Sequence, residues 1–333
     1  MSITLRHPDG LVHVEQLKTG KKKISVELLN KKVFMPRSTC ETSYPVNLIE
    51  QIMNVKGLGY LCDEIMRDED PMYVQHNLKY DILSYVSEDS FDNKRILDFG
   101  CGNGSSTMIL ARMFPNSEIV GVELEGKFLS IAKVRAKHYK FDNVSFIPSP
   151  DSDNLPSELG DFDYVVLSAV YEHLLPNERK NLIPKIWSHL KPSGVLFVNQ
   201  TPYRYFPIES HTTGLPLITY LPRKATLHLA RRFSKRVSHD DKWETLLRRG
   251  IRGGTAKEII KILSRTSQKP VLLEPDRIGI KDRIDLWYQL SSAVRLPILK
   301  KFLKCCLKAF KLISGIIITP SLSLAIKKSH SKQ

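Results

Sequence analysis

Between Arg95 and Asn199, short apolar runs alternate with stretches of helical period. Arg95-Ile96-Leu97-Asp98-Phe99-Gly100 is an apolar run closed by an acid and a glycine, the form of a strand buried on both faces. Met108, Ile109, Leu110, Ala111 and Met113 then follow a helical pattern that Pro115 ends. Four more strands are predicted at Glu118–Glu123, Val144–Pro148, Phe162–Ser168 and Val195–Asn199. Helices are predicted at about Lys127–Tyr139 and Asn177–Leu190, with Lys191-Pro192-Ser193-Gly194 as a turn. This order predicts an α/β fold with a parallel sheet and helices on both faces.

The flanks are patterned differently. The first 35 residues look strand-rich, with Ile24-Ser25-Val26-Glu27-Leu28 alternating, and two helical patterns follow near Val46–Val55 and Met72–Val86. Downstream, a helix is expected at Thr255–Leu263, a strand at Pro270–Glu274, a basic amphipathic stretch at Leu296–Ile313 and a last strand at Ser321–Lys328. The expected organisation is an N-terminal extension and cap (1–90), a core (91–202), a lid with a basic helical insertion (203–320), and a final strand and tail (321–333).

Composition narrows the partners. Fifty Lys and Arg oppose 35 Asp and Glu in 333 residues, and the net charge of +15 favours anionic partners. Ten cations against three carboxylates fall between Arg223 and Arg252, a segment suited either to a phosphate or to a solvated face. Five scattered cysteines without C-x-x-C spacing suggest free thiols. With no apolar leader and no long uncharged run, the expected location is the cytoplasm, with peripheral membrane contact through 296–313 also open.

The chemistry begins at the glycines. Gly100, Gly102 and Gly104 stand where a strand turns directly into a helix, and glycine allows both the unusual angles and close approach of a ligand to the backbone. The spacing is G-x-G-x-G, and Ser105 stands where the dinucleotide fingerprint needs glycine. Glu123 closes the next strand, 23 residues after Gly100, where a carboxylate can accept from both hydroxyls of a ribose. Asp98, Glu123, Asp151 and Ser168 all fall at or just past strand ends, the side on which such sheets bind ligands.

Asp98-Phe99-Gly100-Cys101-Gly102-Asn103-Gly104 resembles the first motif of class I S-adenosylmethionine (SAM)-dependent methyltransferases. Phe162-Asp163-Tyr164-Val165 leading to Glu172-His173, and Leu190-Lys191-Pro192, resemble the ubiquinone-biosynthesis-type, small-molecule branch. The resemblance implies a Rossmann-like methyltransferase sheet with an N-terminal cap, a helical and basic insertion before the last strand, and SAM as cofactor. It implies cofactor contacts at Asp98, Gly100, Gly102, Gly104, Glu123, Asp151, Ser152 and Ser168, with the ribose on Glu123 and the adenine amino group on Asp151 or, failing it, Asp153.

Methyl transfer needs an aligned acceptor and, for a hydroxyl, a base. His173, just past the fourth strand of the core, and His211, in the Pro-rich loop after the fifth, are the candidate catalytic residues, with Glu172 able to orient His173. Tyr203, Arg204 and Glu209 of that loop are candidate substrate contacts. No metal-ligating spacing is visible, so no metal is expected. Ser168-Ala169-Val170-Tyr171 replaces the Asn-Pro-Pro-Tyr type of motif found in methyltransferases of DNA bases, which disfavours nucleic acid. The expected activity is O-methylation of a small or glycan-type acceptor, including phosphorylated and lipid-linked ones. The alternatives are an RNA or protein methyltransferase and a non-catalytic SAM-fold scaffold.

Overall fold

The computed structural model describes residues 2–30, 33–290 and 297–329. Its N-terminal elements are β1 (Ser2–His7), β2 (Gly10–Gln16), β3 (Lys22–Leu28), β4 (Thr39–Thr42), α1 (Val46–Lys56), α2 (Leu58–Glu69) and α3 (His76–Leu83). The middle of the chain forms β5 (Arg95–Phe99), α4 (Ser105–Met113), β6 (Glu118–Glu123), α5 (Gly126–Tyr139), β7 (Val144–Pro148), β8 (Phe162–Ser168), α6 (Pro176–Ser188) and β9 (Leu190–Pro202). Then come β10 (Ile208–Glu209), β11 (Leu215–Pro216), α7 (Arg223–Phe233), α8 (Trp243–Arg248) and α9 (Ala256–Leu263). The chain closes with β12 (Pro270–Leu272), α10 (Arg283–Leu290), α11 (Pro297–Ser314) and β13 (Ser321–Lys328). The fold is mixed α/β and Rossmann-like, rich in parallel strands, and it divides into two compact units.

The first unit joins Met1–Leu78 to Cys101–Pro148. Strands β1 to β4 form an antiparallel sheet in sequence order. Val12, Val14, Ile24 and Val26 point from it, by strict alternation, into a core shared with Leu48, Ile52, Leu61 and Ile65 of α1 and α2 and with Ile131 of α5. The N-terminal extension therefore shares one core with the segment that follows the glycine turn. In the same unit β6 and β7 pair in parallel.

The second unit joins Lys79–Gly100 to Ser149–Gln333. Its strands lie in the order β12-β13-β9-β8-β5. The β5–β8 and β8–β9 pairs are parallel, and β13 runs antiparallel to both β9 and β12. Strand β8 is nearly all buried, which is why it reads as a continuous apolar run.

Three expectations need correction. Helix α2 was not predicted, because Glu64 and Asp68 occupy its inner face and break the apolar period. The helix expected over Met72–Val86 starts later, since Pro71–Gln75 forms a single wide turn with non-helical angles at Tyr73 before α3 begins. The turn expected at 191–194 lies inside β9: the β8 register jumps from Phe162↔Leu190 to Tyr164↔Val195, and the looped-out residues include Ser193 at φ +65°. The amphipathic helix is found as α11, while its expected first residue, Leu296, and residues 330–333 of the tail lie outside the described residues.

Candidate functional site

The glycine turn is built as its sequence requires. Gly100, Gly102 and Gly104 have φ of +72°, +54° and +83°, left-handed angles that cost other residues about 1–2 kcal/mol. A Cβ at Gly100 would come 2.7 Å from the Val170 side chain, and one at Gly104 2.7 Å from the Ala132 Cβ. At Gly102 nothing lies within 4 Å, so there the backbone faces open space where a ligand can approach.

Glu123 ties this turn to the end of β6. Its Oε2 accepts from Gly102 N–H at 2.9 Å, and its Oε1 accepts from the N–H groups of Leu124 and Glu125 at 2.8 and 3.1 Å. Three of the roughly four lone-pair sites of the carboxylate are thus engaged. A vicinal diol would take the fourth and compete with one backbone donor, so the residues present fit a ribose.

A buried arginine that the sequence did not single out braces the turn from behind. Arg135 of α5 is fully buried and donates to the Asn103 carbonyl at 3.2 Å and to the hydroxyl of Ser105, the first residue of α4. It also donates to the Glu64 carbonyl and carboxylate at 3.0 and 3.2 Å and lies 3.9 Å from Asp68. Asp68 in turn accepts from the Tyr44 and Tyr139 hydroxyls. Burial holds the Asp68 carboxyl above its ordinary range, while Arg135 and the two tyrosines pull it back.

The other strand-end candidates lie in the second unit. Asp98 is buried on β5, and Ser168 ends β8 opposite Asn199 of β9. Asp151 accepts from the backbone N–H groups of Asp153 and Asn154, both at 2.7 Å, and from the Asn154 amide at 2.9 Å. These bonds, the Asn154 side chain first, hold its carboxyl below the usual range, and they make Asp151 the organiser of its own loop. Against the penalty of burial, Arg248 first, and Ser152 to a smaller degree, hold the Glu178 carboxyl of α6 below its usual range.

The second unit also gathers the candidate catalytic residues. Glu172, His173 and His211 each place one ligand-type atom within 4.8 Å of the others, although 37 residues separate His173 from His211 in the chain. The two rings have centroids 5.8 Å apart. The His173 Nδ1 meets the Arg248 carbonyl at 2.6 Å, and since a carbonyl only accepts, Nδ1 carries the proton and Nε2 keeps a lone pair. That Nε2 lies 3.8 Å from Glu172 Oε1. Glu172 is fully buried, and its Oε2 accepts from the Thr201 hydroxyl at 2.9 Å. Its Oε1 has no hydrogen-bond partner among the described residues. Burial pushes the carboxyl up. The expectation of no metal came from spacing along the chain, which does not register side chains that the fold brings together.

The remaining substrate candidates divide. Glu209 is buried and accepts from the N–H groups of His211, Thr212 and Thr213 at 2.9, 2.7 and 2.6 Å and from the Thr213 hydroxyl. These bonds shape the loop that carries His211. Tyr203 and Arg204 line a cavity of about 420 Å³ with Lys257, Glu258, Lys261 and Arg283.

The basic run of residues 223–252 is largely built into the fold. Arg248 grips Glu178 with both terminal nitrogens, Arg249 pairs with Asp241 at 2.8 Å, and Arg231 donates to the Asp241 carbonyl. Arg236 and Arg252 donate to the backbone carbonyls of Ser210 and of Thr219 and Leu221.

Residues 96–194 match the family model described as a methyltransferase domain. This segment carries a class I, SAM-dependent methyltransferase domain. The chain is 29% identical over 113 residues to trans-aconitate 2-methyltransferase of Variovorax paradoxus, a match covering 34% of this chain and 40% of that one. It is 29% identical over 124 residues to malonyl-[acyl-carrier protein] O-methyltransferase of Priestia megaterium, covering 37% and 43%. It is 31% identical over 118 residues to protein-L-isoaspartate O-methyltransferase of Nitrobacter winogradskyi, covering 34% and 49%. The chain thus spans 40–49% of the length of these curated relatives.

Proposed function

We propose that the protein is a SAM-dependent methyltransferase of the small-molecule branch that methylates an oxygen of a small or glycan-type acceptor. The observation that carries this is the glycine turn, open at Gly102 and tied through its N–H to the Glu123 carboxylate. Relatives named O-methyltransferases support the choice of oxygen. When bound, SAM supplies a methyl group on a sulfonium, already electrophilic.

The residues of this chain do the rest. Gly100, Gly102 and Gly104 shape the turn, Glu123 receives the ribose hydroxyls, and Asp98 on β5 and Ser168 at the end of β8 are the cofactor candidates of the second unit. Asp151 and Ser152 hold their loop in shape. His173 Nε2 is positioned to accept a proton from an acceptor hydroxyl, with His211 beside it. Tyr203 and Arg204 belong to a cavity whose charged lining is four cations, Arg204, Lys257, Lys261 and Arg283, against the one carboxylate of Glu258, which supports an anionic acceptor. The internal pairing of Arg231, Arg236, Arg248, Arg249 and Arg252 removes much of the case for an RNA substrate.

Peripheral membrane contact is the second element of the proposal, and α11 favours it. Lys304 and Lys308 pair with Asp285, and Lys311 pairs with Asp282, so the lysine face docks towards α10. Ile298, Leu312 and Ile313 are left 85%, 88% and 87% exposed. Among the described residues no helix is long and apolar enough to cross a membrane.

The deciding experiment is SAM calorimetry on wild type and Glu123→Ala. Loss of charged hydrogen bonds predicts a roughly ten- to hundredfold weaker affinity. A wild type that does not bind SAM overturns the proposal. Turnover on a macromolecule, with none on anionic sugars or lipid carriers, overturns the acceptor class alone.

A further inference from the structure

We propose that Glu172, His173 and His211 form a binding site for a divalent first-row transition cation of the zinc type, held by two imidazoles and one carboxylate. Glu172 is fully buried and its Oε1 lacks a hydrogen-bond partner among the described residues, although a buried carboxylate oxygen ordinarily has one. That oxygen lies 3.8 Å from His173 Nε2, and one candidate ligand atom from each of the three residues lies within 4.8 Å of the others.

The surroundings have the features of a metal centre. The Arg248 carbonyl fixes His173 with its proton on Nδ1, which leaves Nε2 free to ligate, and such an outer partner is the rule for metal-binding imidazoles. The Thr201 hydroxyl orients the other oxygen of Glu172. Gly250, at φ +87°, lies between the ligands: a Cβ there would come 3.0 Å from His211 Cδ2 and 3.1 Å from Glu172 Cγ. Glu209 holds the backbone N–H of His211, fixing the root of the third ligand. Metal–ligand bonds of about 2.0–2.2 Å place tetrahedral ligands roughly 3.4 Å apart, so the trio closes by about an ångström on loading. His211, exposed on its loop, is the ligand free to make that movement.

Two imidazoles and a carboxylate suit zinc and its neighbours, and three protein ligands leave coordination positions open, the arrangement of catalytic rather than structural sites. Resting on the methyltransferase proposal, the function of the open positions is to bind a hydroxyl oxygen of the acceptor and lower its pKa, so that its proton passes to solvent water as the oxygen takes the methyl group. His173 and His211 then serve as ligands in place of acting as bases.

The test titrates tag-free, metal-stripped full-length protein with Zn²⁺ by calorimetry and with Co²⁺ by visible absorption, measuring SAM affinity on the same samples. One equivalent is expected to bind, with Co²⁺ bands free of a thiolate charge-transfer component, since Cys305 and Cys306 are the exposed cysteines. Glu172→Gln, His173→Ala and His211→Ala should each weaken Zn²⁺ binding by at least about a hundredfold. His211→Ala, at an exposed position, should do so with SAM affinity and circular dichroism unchanged. No binding of either ion by wild type, or binding retained in all three variants, overturns the site. Metal binding without SAM binding overturns the methyltransferase proposal and leaves the site standing, and SAM binding without metal binding does the reverse.

Discussion

Asp81 on α3 is a fully buried carboxylate without an ion-pair partner among the described residues, and the pH dependence of stability should carry its signature. Burial pushes its pKa up from 3.8 to about 7, and the Ser323 hydroxyl offsets only part of that penalty. The folded state therefore binds a proton that the unfolded chain releases between these values. The stabilisation is complete below about pH 4, falls by up to about 1.4 kcal/mol per pH unit as pH rises, and is lost above about pH 7. A shift of roughly three units corresponds to about 4 kcal/mol, of which about 2.5 kcal/mol is lost between about pH 5 and pH 8. Asp81→Asn keeps the shape and removes the charge. Guanidinium unfolding of wild type and variant across this range isolates the term, because other titrating groups cancel in the difference. The variant should gain about 2.5 kcal/mol on wild type from the acid end to the alkaline end. A difference that stays constant within about 0.5 kcal/mol would show Asp81 ionising normally and refute the reasoning.

Other perturbations test the remaining parts. Arg135→Met should destabilise the protein by about 3 kcal/mol, since it removes the fully buried counter-charge of Glu64 and Asp68 and leaves them Lys56 and Arg112 at 3.8 and 3.6 Å, and equilibrium unfolding with Arg135→Lys as comparison measures it. The same variant frees the Asn103 carbonyl and Ser105 hydroxyl behind the glycine turn, so calorimetry should show SAM affinity falling as well. Gly104→Ala should cost at least about 1–2 kcal/mol, from the left-handed angle and the clash with Ala132, and its denaturation midpoint reads this directly. If α11 meets a membrane, Leu312→Asp with Ile313→Asp should abolish sedimentation with anionic vesicles and leave SAM binding unchanged.

Much of the core was legible because local physics dictates it. Strand β8 and the final strand β13 fall where an apolar run bounded by polar residues places them, and the glycine turn follows from the need for left-handed angles between β5 and α4. Helix α2 was hidden for the opposite reason. Its inner face carries Glu64 and Asp68, which look solvated until Arg135, 71 residues beyond Glu64, is folded against them. Local pattern reports burial only when burial is apolar.

The same division runs through the candidate site. Gly100, Gly102, Gly104 and Glu123 could be named from one segment, since a strand-to-helix turn and a strand-end carboxylate are short-range structures. Asp151 and Glu209 could be named as acids, but only the folded loops show their carboxylates closing hydrogen bonds to their own backbones. The basic run was visible as charge, and only tertiary structure paired Arg248 with Glu178, 70 residues away. Sequence by itself determined the α/β order and the glycine turn, because each depends on residues a few positions apart. The meeting of Glu172, His173 and His211 was decided by the tertiary structure alone, because it depends on where a distant loop is laid, and the contacts that lay it, Thr212 on the Arg249 carbonyl and Arg236 on the Ser210 carbonyl, join residues far apart in the chain.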